Sequence, residues 1–337
     1  MAGSGSFLES FTAWQKESVY GTAVSSDMHK IPILTWDVNP AYDIYTSGMI
    51  TGAAGESAPA FGVKRIAGTM TLEGGYSNLN QVFLGVLGSS ADTVADGTTP
   101  FLNTYTPSAS QPSFTVDASY GDVPTTKIAR FAGVKFNTVE LSFDAAQGFM
   151  NVNCDLLAQS MNHGTDVGVA LGTYTTTQTH YAIQVQPSAN VTTLDMGIGD
   201  SVPTYCIRAG TIRIDRGLTA NRVCLGIDTI AEPVATRPMS VTGTFTVEHQ
   251  SAAFATLNAL TGKTVHTTTQ LVWTDGTYIL DMMFPKVVYT NISIPIQQGD
   301  SLVQTVTWKA YGTVSGSATV SEPLTVNYTS PLDVEDL

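Results

Sequence analysis

Apolar side chains return at every second residue along most of this chain, the period of a strand with one face in a core. The alternation covers residues 31–38, 66–72, 113–118, 127–131, 135–143 and 149–156. Turn-forming clusters separate these runs: Asn39-Pro40, Gly74-Gly75, Tyr120-Gly121-Asp122 and the stretch 144–148. A second series follows in the same order over 211–214, 241–248, 269–273, 278–284, 287–296 and 301–311. The last two runs of each series read as a hairpin. A helical period occurs in two places. Leu79, Val82, Phe83, Val86 and Leu87 share one face between Ser77, read as the N-cap, and Gly88 past the end. Phe254, Leu257 and Leu260 do the same between Ser251 and Gly262. Helices this short cannot stand alone. Helix–sheet packing is therefore expected through Leu79, Val82, Phe83 and Leu87 in the first case and Phe254, Leu257 and Leu260 in the second.

The two series read as copies. Gly68-Thr69-Met70-Thr71-Leu72-Glu73 returns as Gly243-Thr244-Phe245-Thr246-Val247-Glu248, each followed by its helix. From Phe131 onward the chain matches itself from Phe284 with no gap, so that Val134 meets Val287, Leu141 meets Ile294, and Met150 meets Val303. The predicted fold is mainly β with a minor α component: two tandem sandwich or barrel units, each flanked by one short helix. The units span 1–161 and 205–337. A Thr-rich connector over 162–204, with one extra strand near 181–185, has no counterpart elsewhere. Two long stretches, 41–64 and 217–238, separate the first two strands of each unit, and stretches of this length inside a compact domain are usually functional. Their apolar residues Tyr45, Met49, Ile50, Phe61, Leu225, Ile227 and Ile230 have no evident core. They either form extra strands or dock on a neighbouring subunit.

Composition narrows the function. Of 337 residues, 43% are hydrophobic, so each unit can bury a core, but only 13% are charged, about half the usual share. A surface so poor in charge is expected to pack on other subunits. The net charge of −13 argues against gripping nucleic acid, which takes clustered Lys and Arg. The three cysteines are widely spaced and form no C-x-x-C, and are read as free, packed thiols in a reducing compartment. No signal peptide and no membrane-spanning run is expected.

Catalytic and metal-binding patterns are missing. The five histidines are scattered, with no H-E-x-x-H, and there is no G-x-S-x-G elbow or phosphate-binding loop. No enzyme activity, cofactor or metal is expected. Glu73 and Glu248 recur at the same place in each copy, either as charges facing a lumen or another unit, or as solvated strand ends beside a helix N-terminus.

Ordered motifs give a resemblance. Glu17-Ser18-Val19-Tyr20-Gly21-Thr22-Ala23, the Gly68-Thr69-x-Thr71-x-Glu73 strand with its helix ending Val86-Leu87-Gly88-Ser89, and Phe131-Ala132-Gly133-Val134-Lys135-Phe136-Asn137 together resemble tail tube proteins of long-tailed bacteriophages. The resemblance implies a structural subunit of the virion tail, made in the host cytoplasm. Such subunits stack as rings into a hollow conduit for DNA ejection, each ring closing its inner sheets into one barrel. Most members have one unit and form hexamers, so a two-unit chain would form a homotrimeric ring with pseudo-six-fold symmetry. Implied partners are other copies of the chain, a tape measure protein, a tail terminator and double-stranded DNA in transit. The long stretches sit where the family's ring-to-ring loop belongs. Polar residues alternating with apolar ones in the closing hairpins are the lumen candidates: Lys135, Asn137, Glu140, Ser142, Asn151 and Asn153, then Thr290, Ser293, Gln304 and Thr307. The alternative function is a virion decoration or adhesin-like binding module, which needs no matched internal copies.

Overall fold

The structure, a computed structural model, describes residues 10–46, 59–92, 100–120, 128–163, 181–185, 191–195, 207–248, 265–294, 303–314 and 320–331. The first half contains β1 (Ser10–Lys16), β2 (His29–Ile31), β3 (Thr35–Tyr45), β4 (Ala60–Glu73), α1 (Asn80–Leu87), β5 (Gly88–Asp92) and β6 (Phe101–Pro107). It continues with β7 (Phe114–Tyr120), β8 (Ile128–Asp144), β9 (Asn151–Ala158) and β10 (Ser160–His163). The second half contains β11 (Val191–Asp195), β12 (Ile207–Asp215), β13 (Leu218–Thr219), β14 (Val234–Ala235), β15 (Ser240–Glu248) and β16 (His266–Thr274). It ends with β17 (Ile279–Ser293), β18 (Val303–Tyr311), β19 (Thr313–Val314), β20 (Val320–Ser321) and β21 (Thr325–Ser330). The chain is mainly β, and its main strand pairings are antiparallel.

One sheet runs through both halves in the spatial order β3-β4-β9-β8-β12-β15-β18-β17. A second layer lies over it. In the first half, β8 leaves the main sheet through its N-terminal part, where β7 and β10 flank it and β1 follows on β7. In the second half, β17 does the same with β16, β21 and β11. The runs read as separate strands at 127–131 and 135–143 are thus one strand, with Gly133 at φ +69°. The pairings repeat: β3–β4, β4–β9, β8–β9, β7–β8 and β1–β7 have the partners β12–β15, β15–β18, β17–β18, β16–β17 and β11–β16. The connector therefore does contain a counterpart, since β11 occupies the place of β1.

The register corrects the gapless match. Gly68 faces Leu156, and Gly243 faces Trp308. Glu140 faces Asn153, and Ser293 faces Thr305. The second hairpin is one residue shorter, so Val303 corresponds to Asn151 and not to Met150. Both hairpins keep the same bulge, between Phe136 and Thr138 and between Tyr289 and Asn291.

The glycine that opens the repeated motif has a steric reason. A Cβ on Gly68 would stand 1.9 Å from the Asp37 carbonyl oxygen, and one on Gly243 would stand 2.4 Å from that of Thr211. Only glycine lets the neighbouring strand lie this close.

Helix α1 is buried on every side, including Asn80 and Gln81. Gly85 lets it approach the rings of Phe136 and Phe114, while Phe83 meets Tyr105 of β6 and Tyr328 of β21. Leu79, Val82, Phe83 and Leu87 are all fully buried. The helix is thus a core element, not a surface helix with one apolar stripe. Asn80 donates to Ser330 Oγ at 3.0 Å and accepts from Tyr105 Oη at 2.7 Å, tying the two halves together. Ser77 is not the N-cap: Leu79 holds that position without a side-chain bond. Asn78 instead closes the preceding turn, accepting from Gly75 N and donating to the Glu73 carbonyl. Gly88 ends the helix in the left-handed conformation, as expected. The second helix, with Phe254, Leu257 and Leu260, lies outside the described residues.

Cys154 is buried, and burial pushes its thiol pKa well up. Cys224 is exposed, contrary to the expectation of a packed thiol. Cys206 lies outside the described residues.

Candidate functional site

The main sheet has one face in the core and one face free of it. Alternation puts Val139, Leu141, Val152, Cys154, Ile212, Ile214, Phe245 and Val306 in the core. Their neighbours in sequence point the other way and form a surface dense in threonine: Thr69 and Thr71, Thr211, Thr242, Thr244 and Thr246, Thr305 and Thr307. Thr211 and Thr244 share a hydrogen bond at 2.8 Å. Acidic groups on this face are Asp37, Glu73, Glu140, Asp144, Asp155, Asp215 and Glu248. The cations among them are Arg65, which pairs with Asp43 at the sheet's end, Arg208, Arg213 and Lys309. Arg208 pairs with Glu248 at 2.6 Å, Arg213 pairs with Glu140 at 3.1 Å, and Arg237 reaches Asp215 from outside the sheet at 2.6 Å. The surface is hydroxyl-rich and net acidic.

Glu140, Ser142, Asn151, Asn153, Ser293 and Thr307 lie on this face. Asn137 and Thr290 occupy the two matching bulges. Two of the sequence-derived candidates do not belong to it. Lys135 is buried, its ammonium 2.6 Å from Glu232 and over the ring of Tyr20. Gln304 is fully buried at the core position that Val152 holds in the first half, and its amide has no hydrogen-bond partner among the described residues.

The sheet ends on two open edges. Along β3 the described residues pair only with β4. Among the described residues, the far part of β17, from Val288 onward, pairs only with β18. The equivalent part of β8 is flanked on both sides, by β9 and by β12.

The described ends of the first long stretch belong to strands: β3 runs on to Tyr45 and β4 starts at Ala60, and the two pair as an arm with Ile44 opposite Phe61 and Tyr45 opposite Ala60. Tyr42, Ile44, Tyr45 and Phe61 are exposed along the arm, and Tyr42 and Phe61 stack edge to face. Met49 and Ile50 lie outside the described residues. The second stretch folds back on the base of this arm. Lys64 N donates to the Asp228 carbonyl, and Arg65 donates to the carbonyl of Ala220 and to Asn221 Oδ1. Leu225 and Ile227 remain exposed, whereas Ile230 is buried within the chain and so has no surface to offer a neighbour. The arm and this loop place their exposed apolar residues at one end of the sheet's strands.

The opening motif is a staple. The buried Glu17 carboxylate accepts from Gly21 N at 2.9 Å, Gly133 N at 2.8 Å, Ser113 Oγ at 2.6 Å and Thr115 Oγ1 at 2.9 Å. It ties the segment after β1 to β7 and to the bend of β8. Sequence reading singled out this motif without its role, because nothing local marks a glutamate as buried. With all its bonds taken up by the fold, Glu17 has no spare capacity for chemistry, although it borders a polar cavity of about 470 Å³. The described residues hold no cluster of three metal-ligating side chains.

No curated protein matches the chain in sequence. A family model described as phage tail tube protein matches residues 9–329, nearly the whole length. By that match, the chain belongs to the phage tail tube protein family, as a structural component of the virion tail.

Proposed function

We propose that three copies of this chain close into a ring of six near-equivalent units, and that such rings stack into the conduit through which DNA leaves the virion. The observation that carries this reading is the main sheet itself. Among the described residues it has two open edges, one apolar face under α1 and the second layer of strands, and one polar face with no core against it. A sheet that closes on itself through its neighbours has no edge left to aggregate. The polar face then lines the lumen. Its excess of carboxylates repels phosphate, so DNA passes without the counterion release that would hold it. Synthesis takes place in the host cytoplasm, and the tape measure and terminator proteins are the partners expected at the lumen and tail end.

The arm of β3 and β4 makes the axial contact. Tyr42, Ile44, Tyr45 and Phe61 expose apolar surface at one end of the strands, and such surface marks an interaction site when it is contiguous. Replacing Tyr42 and Phe61 together by serine is expected to leave stability within about 1 kcal/mol, because both are solvated in the single chain. Rings should still form, and electron microscopy should show no long tubes. Tubes of normal length from this variant would remove the arm from the stacking interface.

A further inference from the structure

The chain contains a copy of its own assembly joint. Between the halves, β8 and β12 pair with Glu140 opposite Arg213, Val139 opposite Ile214 and Leu141 opposite Ile212. The repeat assigns each of these positions a counterpart. Through the shared partner strands, Glu140 corresponds to Ser293 and Leu141 to Ile294. Through Gly68 and Gly243, Ile212 corresponds to Val38 and Arg213 to Asn39. The counterparts are the two open edges. Burial agrees: Val139 and Leu141 are sealed under β12, whereas Ile292 and Ile294 in the same places are only half-buried.

From this we infer that β3 of one copy pairs antiparallel with the far part of β17 of the next, in the register that sets Asn39 opposite Ser293, Val38 opposite Ile294 and Pro40 opposite Ile292. The partner is a second copy of this chain, and the inference rests on the reading as a ring-forming tube subunit. It also separates the two joints chemically. The internal joint carries the Arg213–Glu140 ion pair at 3.1 Å, and the external joint has Asn39 and Ser293 there. The Arg216 N–H donates to the Asn137 carbonyl across the internal joint, so alternate residues of β12, including Ile214, turn their N–H toward β8. Pro40 takes the place of Ile214 and has no N–H, so the external joint lacks that rung. Proline on an open edge also discourages wrong pairing before the right partner arrives.

The same alternation makes Arg213 and Glu140 a non-hydrogen-bonded pair, whose Cα atoms stand about 4.5 Å apart, within disulfide range. The test is a chain with Asn39→Cys and Ser293→Cys, in a background with Cys206 and Cys224 replaced by serine. Oxidised after assembly, it should give a ladder on denaturing gels that ends at the closed ring. Each chain with only one of the introduced cysteines should stay monomeric on those gels, since the remaining Cys154 is buried, and the pair Asn39→Cys with Asn291→Cys, slipped by two residues, should cross-link at least several-fold less. Rings or tubes that form without the Asn39–Ser293 cross-link, or that favour the slipped pair, overturn the register while leaving the tube reading standing. Failure of the unsubstituted background chain to form any ring counts against the tube reading itself.

Discussion

A Glu17→Leu chain is expected to lose on the order of 3–5 kcal/mol of stability, because four donors that the carboxylate satisfies would be stranded in the interior. The donors are Gly21 N, Gly133 N, Ser113 Oγ and Thr115 Oγ1, and those nearest the surface recover water, which keeps the cost below the sum of its parts. Glu17→Gln keeps the size and one acceptor oxygen but turns an NH₂ toward donors, so about 1–3 kcal/mol is expected. Urea unfolding of each variant measures both. Equal midpoints for Glu17→Leu and the parent chain would show that the staple does not hold this segment.

The second large effect is expected at Gly68. In Gly68→Ala the new methyl meets the Asp37 carbonyl oxygen at 1.9 Å and the Val38 Cα at 2.7 Å. Both are backbone atoms, so no side-chain rotation relieves the clash and β3 must move away from β4. Overpacking of this kind costs about 1–3 kcal/mol, but the larger consequence is for assembly. β3 is one of the two open edges, and on the proposed joint a displaced β3 would not meet the next copy in register. The variant should remain folded by circular dichroism and sediment as a single chain under conditions where the parent forms rings. Normal ring formation by Gly68→Ala would show that β3 takes no part in closing the ring.

Much of the fold was legible because alternation and glycine report local geometry directly. The repeated Gly-Thr-x-Thr-x-Glu strand marked the two copies, and the structure gives its glycine the same steric role twice, at Gly68 and Gly243. The apolar run around α1 and the glycine that ends it were equally plain. Other features depend on what lies across space. A bulge at Asn137 and another at Thr290 shift the inward phase by one, so alternation counted straight through them assigns some residues to the wrong side. Gln304 in the core and Val303 on the polar face reverse the usual pattern, which is how the gapless match misplaced the return strand of the second hairpin by a residue. Lys135 reads as a surface charge until the loop carrying Glu232 is folded over it. The covering of α1 by β6 and β21 joins residues from opposite ends of the chain, and no local pattern encodes it.

On the proposed assembly, further copies of the chain close the open edges of this sheet. Electron microscopy of the purified protein, with two-dimensional class averages of end-on particles, tests it most directly. Rings of three chains with six similar lobes around an open lumen, alone or stacked as tubes, are the expected result. A homogeneous monomer at every concentration and ionic strength examined, with both β3 and the far part of β17 still open to solvent, would contradict it.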